Sequence, residues 1–390
     1  MKIARIETVA VGAGWKNWLF VRVHTDEGLT GVGEGTLNGF VRTIEAAVHE
    51  LEHLALGENP CRPTALAKRL LESVSNDGGH IHKHAVAAIE TACWDILGKS
   101  AGMSIHELLG GRVRDSVAGY ANGWYRAERT PESLAAAADV VVRLGFKALK
   151  LDPFGTAQGF LADEELALAV EIVGELRRRH PQLSILIDVH ARFTEAEAIR
   201  AARAFERLGV FWWEEPTTRE REEPTSAVAR QTTLRVATGE TFHHPGQFFT
   251  LARAGGVSVW QPEPMSLGGI GPALTVAHLA QTAGAWIAPH QSGGPIATAV
   301  CLQLAACTTN FLIQEHFDPF NEPWTANLVT WRPTIDAMNG HLSLPTAPGL
   351  GLDLVDEVAK EHPYEPDAYL NVFADGWERR LGRQEGAHVS

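Results

Sequence analysis

The chain has 390 residues, 45% hydrophobic and 21% charged, an ordinary globular composition with enough apolar material for a large core. Its 34 Lys and Arg against 47 Asp and Glu leave a net charge of −13, which removes any general attraction to nucleic-acid phosphates or anionic membranes. An acidic protein that handles an anionic substrate needs local cations, and a bound metal is one source of them.

In chain order, Met1 to Gly12 alternates apolar and polar residues without the apolar block of a signal peptide, and no 18-residue apolar run follows anywhere. A cytoplasmic protein is expected, with Cys61, Cys93, Cys301 and Cys307 as reduced core thiols. Residues 1–35 read as paired strands. Their connection, Gly12 to Trp18, carries glycines and two tryptophans and is expected to form a mobile flap. From Val41 to Gly111 the periodicity is helical, interrupted by a polar, His-rich loop from Ser73 to His84, with a helix stop at Gly98 or Gly102.

After Arg114, short β-runs alternate with helical patterns. Strands are expected at Val117–Ala121, Ala148–Asp152, Ile185–His190, Val210–Glu214, Arg235–Glu240, Val257–Gln261, Ala285–Pro289 and Phe311–Glu315. Eight such units, with no Gly-x-Gly-x-x-Gly after a strand, predict an α/β fold of the (β/α)8, TIM-like barrel type. The domain reading is an α+β capping domain over 1–113, the barrel over 114–320, and a tail over 321–390 that packs back on the capping domain.

Barrel active sites form at the C-terminal ends of the strands. The third, fourth and fifth strands end in Asp188, Glu214 and Glu240, spaced 26 residues apart, so three carboxylates converge on one rim. They cannot all stay ionised there without a cation. An all-oxygen set suits a hard divalent ion such as Mg2+. The second strand carries Lys150 and Asp152 on one face, the sixth ends near Glu263, the seventh at His290 and the eighth at Glu315. If Glu263 accepts one N–H of His290, the ring is held in one tautomer as a general base.

This order of residues resembles the mandelate racemase subgroup of the enolase superfamily over nearly the whole chain, including Ala88 to Lys99 and Leu108 to Gly111. The resemblance implies that Asp188, Glu214 and Glu240 hold Mg2+, that His290 and Glu263 form a dyad, and that Glu315 helps bind a substrate carboxylate. Three departures narrow the chemistry. The Lys-x-Lys of epimerases is here Lys150-Leu-Asp152, so the second base is missing unless Lys150 turns inward; Asp152 either binds substrate or pairs with Lys150. His190 resembles the general acid of D-galactonate dehydratase-like members, or is a histidine bonded to a carboxylate. Glu263 stands where the subgroup usually has Asp, and the extra methylene, roughly 1.5 Å, predicts either a looser dyad or a different seating of the helix after Pro264.

The expected reaction is dehydration of an aldonate-type sugar acid to a 2-keto-3-deoxy acid, with His290 as base, His190 as acid and Lys150 among the catalytic groups. Lys16, Asn17, Trp18 and His82, with Trp15, His80, Lys83 and His84, are candidate lid contacts to the distal hydroxyls. The alternative is an epimerase or cycloisomerase using the same enediolate. A barrel metallohydrolase and a non-catalytic sugar-acid binder are weaker readings. The resemblance also implies a homo-oligomer, with a small sugar acid and neither nucleic acid nor membrane as partner.

Overall fold

In the computed structural model, which describes residues 1–219 and 222–379, the N-terminal strands β1 (Ile3–Gly12), β2 (Asn17–Thr25) and β3 (Thr30–Glu34) form an antiparallel sheet. The helix Gly79–Ala101 packs against β3, and Gly102 ends it in the left-handed conformation. Gly31 and Gly33 permit the approach: a Cβ on either would lie 2.0 Å from the carbonyl oxygen of Ala92 or Ala88. The expected mobile flap is instead a tight, buried connection. Trp15, Lys16, Asn17 and Trp18 are all buried, with the Trp15 ring stacked on Phe317 at 6.1 Å and Asn17 held by the Glu365 carbonyl of the C-terminal segment.

Eight parallel strands follow: β4 (Ser116–Ala121), β5 (Ala148–Leu151), β6 (Ser184–Asp188), β7 (Trp212–Glu214), β8 (Val236–Thr238), β9 (Val259–Trp260), β10 (Trp286–Ile287) and β11 (Gln314–His316). They pair in sequence order from β4 to β10. β11 pairs with β4, and a parallel bridge between Ile287 and Phe311 closes the ring. The barrel interior is one apolar layer to which each of the eight units contributes: Tyr120, Ala148, Leu186, Trp212, Ala237, Val259, Ala288 and Ile313. Large and small residues share this layer so that it fills without voids.

Because side chains on a strand alternate, the residues two positions on also point inward, one layer nearer the rim. They are Asn122, Lys150, Asp188, Glu214, Gln261, His290 and Glu315. Glu240 comes three positions after Ala237, the intervening Gly239 taking φ 124°. A packed apolar floor therefore carries an almost wholly polar ring.

Three buried carboxylates fasten the N-terminal unit to the rest of the chain, Glu34 and Glu90 to the barrel and Asp95 to the tail. Glu34 accepts from the backbone N–H groups of Gly294 (2.5 Å) and Ala297 (2.8 Å). Asp95 accepts from Val32 (3.0 Å) and Leu350 (2.8 Å). Glu90 accepts from Ile270 (2.9 Å) and Gly271 (3.0 Å), at the positive end of the helix Ile270–Ala283. Burial pushes the Glu90 carboxyl up to about 7 in spite of these donors. Its folded pKa exceeds the unfolded value of about 4.3, so the stability contributed by its proton is complete below about pH 4.3 and lost as pH rises through 7. From pH 5 to 8, wild type should lose about 3 kcal/mol relative to Glu90→Gln. Denaturant unfolding of both proteins at pH 5 and 8 measures this; a gap independent of pH would contradict it.

The tail does not pack on the capping domain alone. His341–Ser343 adds antiparallel to β4, whereas Asn17 Nδ2 holds the carbonyls of Glu365 (2.7 Å) and Ala368 (3.1 Å). Trp377 reaches back to the barrel, donating from Nε1 to the Gly155 carbonyl at 3.2 Å. Tail residues 380–390 lie outside the described residues. Among the described residues no helix is long and apolar enough to cross a membrane, and all four cysteines are free thiols.

Candidate active site

Lys150 occupies the centre of the polar ring. It does turn inward, and its Nζ lies 2.6 Å from Glu214, 3.0 Å from Asp188 and 3.0 Å from Glu315. Burial opposes its charge, but Asp188, Glu214 and Glu315 outweigh burial and hold its pKa well above the usual lysine value. A lysine so paired stays an ammonium ion. In this arrangement Lys150 is a positive charge held by three carboxylates. Glu315 also accepts from Asn122 Nδ2 (2.7 Å) and from the Gln291 N–H (2.9 Å).

Asp188, Glu214 and Glu240 each offer one oxygen, all within 4.8 Å of one another. Burial first, and then the neighbouring charge of Asp188, pushes the Glu214 carboxyl well above the usual range. Three hard oxygen donors crowded beyond what one lysine neutralises fit a divalent cation of the Mg2+ type.

Two histidines flank this triad in the same manner. His290 Nδ1 lies 2.6 Å from Glu263 Oε2, and its Nε2 faces Glu240 at 3.6 Å. The looser dyad expected from the longer Glu263 is not found, because Glu263 caps the turn Pro264–Leu267, receiving the Met265 N–H, and this directs its carboxylate back to the ring. Burial disfavours the charged imidazole, yet Glu240, the Glu263 hydrogen bond and Glu315 together push the His290 pKa up to about 10. On the other side, His190 Nδ1 lies 2.7 Å from Asp152 Oδ2, and its Nε2 faces Asp188 at 3.6 Å. Burial lowers the His190 pKa against the pull of Asp188 and Glu240. These directions leave His290 charged and His190 neutral near pH 7 and assign neither ring its role, which rests instead on the paired geometry of the two rings.

Of the two roles weighed for Asp152, pairing with Lys150 is not found, because Lys150 is taken by Asp188, Glu214 and Glu315. Asp152 is buried, accepts from His190, from Arg192 and from the Phe154 N–H (2.9 Å), and so orients His190. Arg192 was not anticipated; its guanidinium is fixed by the carbonyls of Val189 (2.9 Å) and Gly155 (2.8 Å).

A cavity of about 680 Å³ opens above His290, Glu240 and Glu263. Of the proposed lid residues Lys16, His80 and His84 line it. Asn17, Trp18 and His82 do not. Asn17 clamps the C-terminal segment, Trp18 is fully buried beside Phe20, and His82 points to the Leu70 carbonyl at 3.0 Å. The other walls come from Thr36, Leu37, Asn38 and Phe40 after β3, and from Arg219, Thr241, Phe242 and His243 of the barrel. His84 contacts Ser266 Oγ at 3.1 Å, and burial takes its pKa down to about 3, so it is a neutral wall residue.

Residues 5–110 match the mandelate racemase / muconate lactonizing enzyme N-terminal domain, and residues 132–358 match the enolase C-terminal domain-like family. The D-galactonate dehydratase of Ralstonia pickettii (strain 12J) is 34% identical over 385 residues, covering 96% of this chain and 99% of that protein. The D-galactonate dehydratase of Xanthomonas campestris pv. campestris (strain B100) is 32% identical over the same coverage. Among solved structures, a mandelate racemase/muconate lactonizing enzyme from Jannaschia sp. CCS1 has a TM-score of 0.86 at 30% identity, covering 94% of this chain and 98% of that one.

Proposed function

Because the chain belongs to the mandelate racemase/muconate lactonizing enzyme family of the enolase superfamily, we propose that it is a Mg2+-dependent hydro-lyase that converts an aldonate-type sugar acid into a 2-keto-3-deoxy acid. One observation carries this reading. Two imidazoles, each clamped at Nδ1 by a carboxylate at 2.6 or 2.7 Å, turn their Nε2 atoms toward the same carboxylate triad. Elimination of water needs one group to take a proton from carbon and a second to give a proton to oxygen.

In this reading Asp188, Glu214 and Glu240 hold the Mg2+, which when bound supplies positive charge at the substrate carboxylate. Lys150 adds a fixed charge beside that position. His290 Nε2 takes the proton from C2, and Glu263 stabilises the imidazolium through Nδ1–H. The electron pair left on C2 is delocalised into the carboxylate as an enediolate. As it returns to form the C2–C3 double bond, the C3–O bond breaks and His190 Nε2 protonates the departing hydroxyl, releasing water. The enol then ketonises to the 2-keto-3-deoxy acid.

The test is mass spectrometry of a panel of aldonic and aldaric acids incubated with enzyme and Mg2+ in D2O. Mg2+-dependent loss of one water from one or a few acids is expected. Deuterium gain without water loss would replace this reading with an epimerase or isomerase, and hydrolysis without deuterium gain would replace it with a metallohydrolase.

A further inference from the structure

His190 is enclosed by residues from the far end of the chain. The Trp377 ring stands edge-on to the imidazole, 5.3 Å between centroids at an interplanar angle of 88°, and Phe373 lies 6.4 Å away at 78°. Trp377 is 2% exposed, and its Nε1 donates to the Gly155 carbonyl, so the indole has one fixed orientation. Phe373 in turn lies under the Arg192 guanidinium, 4.4 Å from its ring, and Arg192 donates to the Asp152 carboxylate that receives His190 Nδ1. Ring orientation and hydrogen-bonding partner are thus tied to the same few tail residues.

The backbone is shaped for this arrangement on both sides. His190 and Ala191 adopt φ 52° and 56°, and Phe373 adopts φ 80°. Non-glycine residues rarely take these values, and they persist where surrounding contacts over-determine them. A tail that served only as an apolar plug would cover apolar side chains. This one places two aromatic edges on an imidazole and leaves Nε2 directed to Asp188, 3.6 Å away.

We infer that the C-terminal segment 371–379 is a wall of the active site, in which Trp377 and Phe373 act as positioning residues that hold the His190 ring for proton delivery to the leaving hydroxyl. The inference rests on the dehydratase reading for what His190 does, but not for how its ring is held. Without the indole the ring, already 21% exposed, gains rotational freedom and further contact with water, and a misplacement of about 1 Å can cost on the order of 10²-fold in rate. Proton abstraction at the opposite histidine makes no use of the tail.

The experiment compares wild type with Trp377→Ala, Trp377→Phe and Phe373→Leu, following α-hydrogen exchange and water loss together in D2O. Trp377→Ala should lower water loss roughly ten- to hundred-fold while exchange stays within about twofold. Trp377→Phe should recover most of the loss, and Phe373→Leu, which keeps an apolar side chain of similar bulk, should show a smaller version of the same split. An equal fall in both rates, or no fall in either, would overturn the assignment. A second readout needs neither substrate nor metal: in 15N-histidine NMR spectra the His190 ring resonances should move in Trp377→Ala, and its Nδ1–H signal should broaden through faster solvent exchange. Unmoved resonances would refute the positioning role. A wild type inert toward every sugar acid would sink the dehydratase reading while the NMR comparison still decides the contact.

Discussion

In a His290→Asn variant, exchange of the substrate α-hydrogen with solvent is expected to disappear, and water loss with it, the rate falling by roughly 10²–10⁴-fold. Asparagine places a polar atom near the position of Nδ1, so the contact with Glu263, 2.6 Å in the native protein, can be kept while the atom facing the triad is deleted. The fold should survive because His290 belongs to the polar ring above the apolar floor and not to the floor itself. The corresponding His190→Asn variant should behave differently, retaining exchange and losing only water elimination. Proton NMR of the substrate in D2O reads both steps in one tube. Exchange at the wild-type rate in His290→Asn would remove this histidine from the mechanism. Loss of exchange in both variants would mean that the two rings act as a unit and that the division into base and acid is wrong.

What could be read in advance follows from the periodicity of strands. Once Leu186 and Trp212 are placed inside the barrel, Asp188 and Glu214 must share their face, and the closure of eight units brings them to one rim. The same alternation puts Asp152 on the face of Lys150, but it cannot say that Arg192 and His190 arrive there from the next strand. Among the lid residues, His82 misses the cavity for a local reason. In the helix Gly79–Ala101, His80 and His84 are one turn apart and share a face, whereas His82 falls on the opposite side. Asn17 lies away from the cavity because its amide holds the Glu365 carbonyl, some 350 positions along the chain, a contact that no local pattern encodes. The edge contact of Trp377 on His190 is of the same long-range kind, and nothing in the composition of the tail signals it.

Metal loading should stabilise wild type and leave Glu240→Gln almost unchanged, reversing their order of stability. Asp188, Glu214, Glu240 and Glu315 crowd the barrel mouth, and Lys150 is the one ammonium paired with them among the described residues. Against four carboxylates, Lys150 and the charged His290 leave an excess of about two negative charges, which adds to burial, the larger cause, in raising the Glu214 carboxyl. Chelator-stripped wild type is thus held below its full stability by repulsion, and Mg2+ at a hundred times its dissociation constant should stabilise it by about 2.7 kcal/mol. Glu240→Gln removes one charge and one strong oxygen donor together. Metal-free, the variant should melt at a higher temperature than metal-free wild type; with Mg2+ its midpoint should barely move, so that the order of stability reverses. Thermal melts of the two proteins with and without Mg2+ supply all four values. Glu240 is the informative position because its side chain, 10% exposed, borders the cavity and can be changed with little disturbance of the floor. A metal-free variant less stable than wild type, together with an undiminished response to Mg2+, would place the cation elsewhere and leave the crowded carboxylates without their counter-charge.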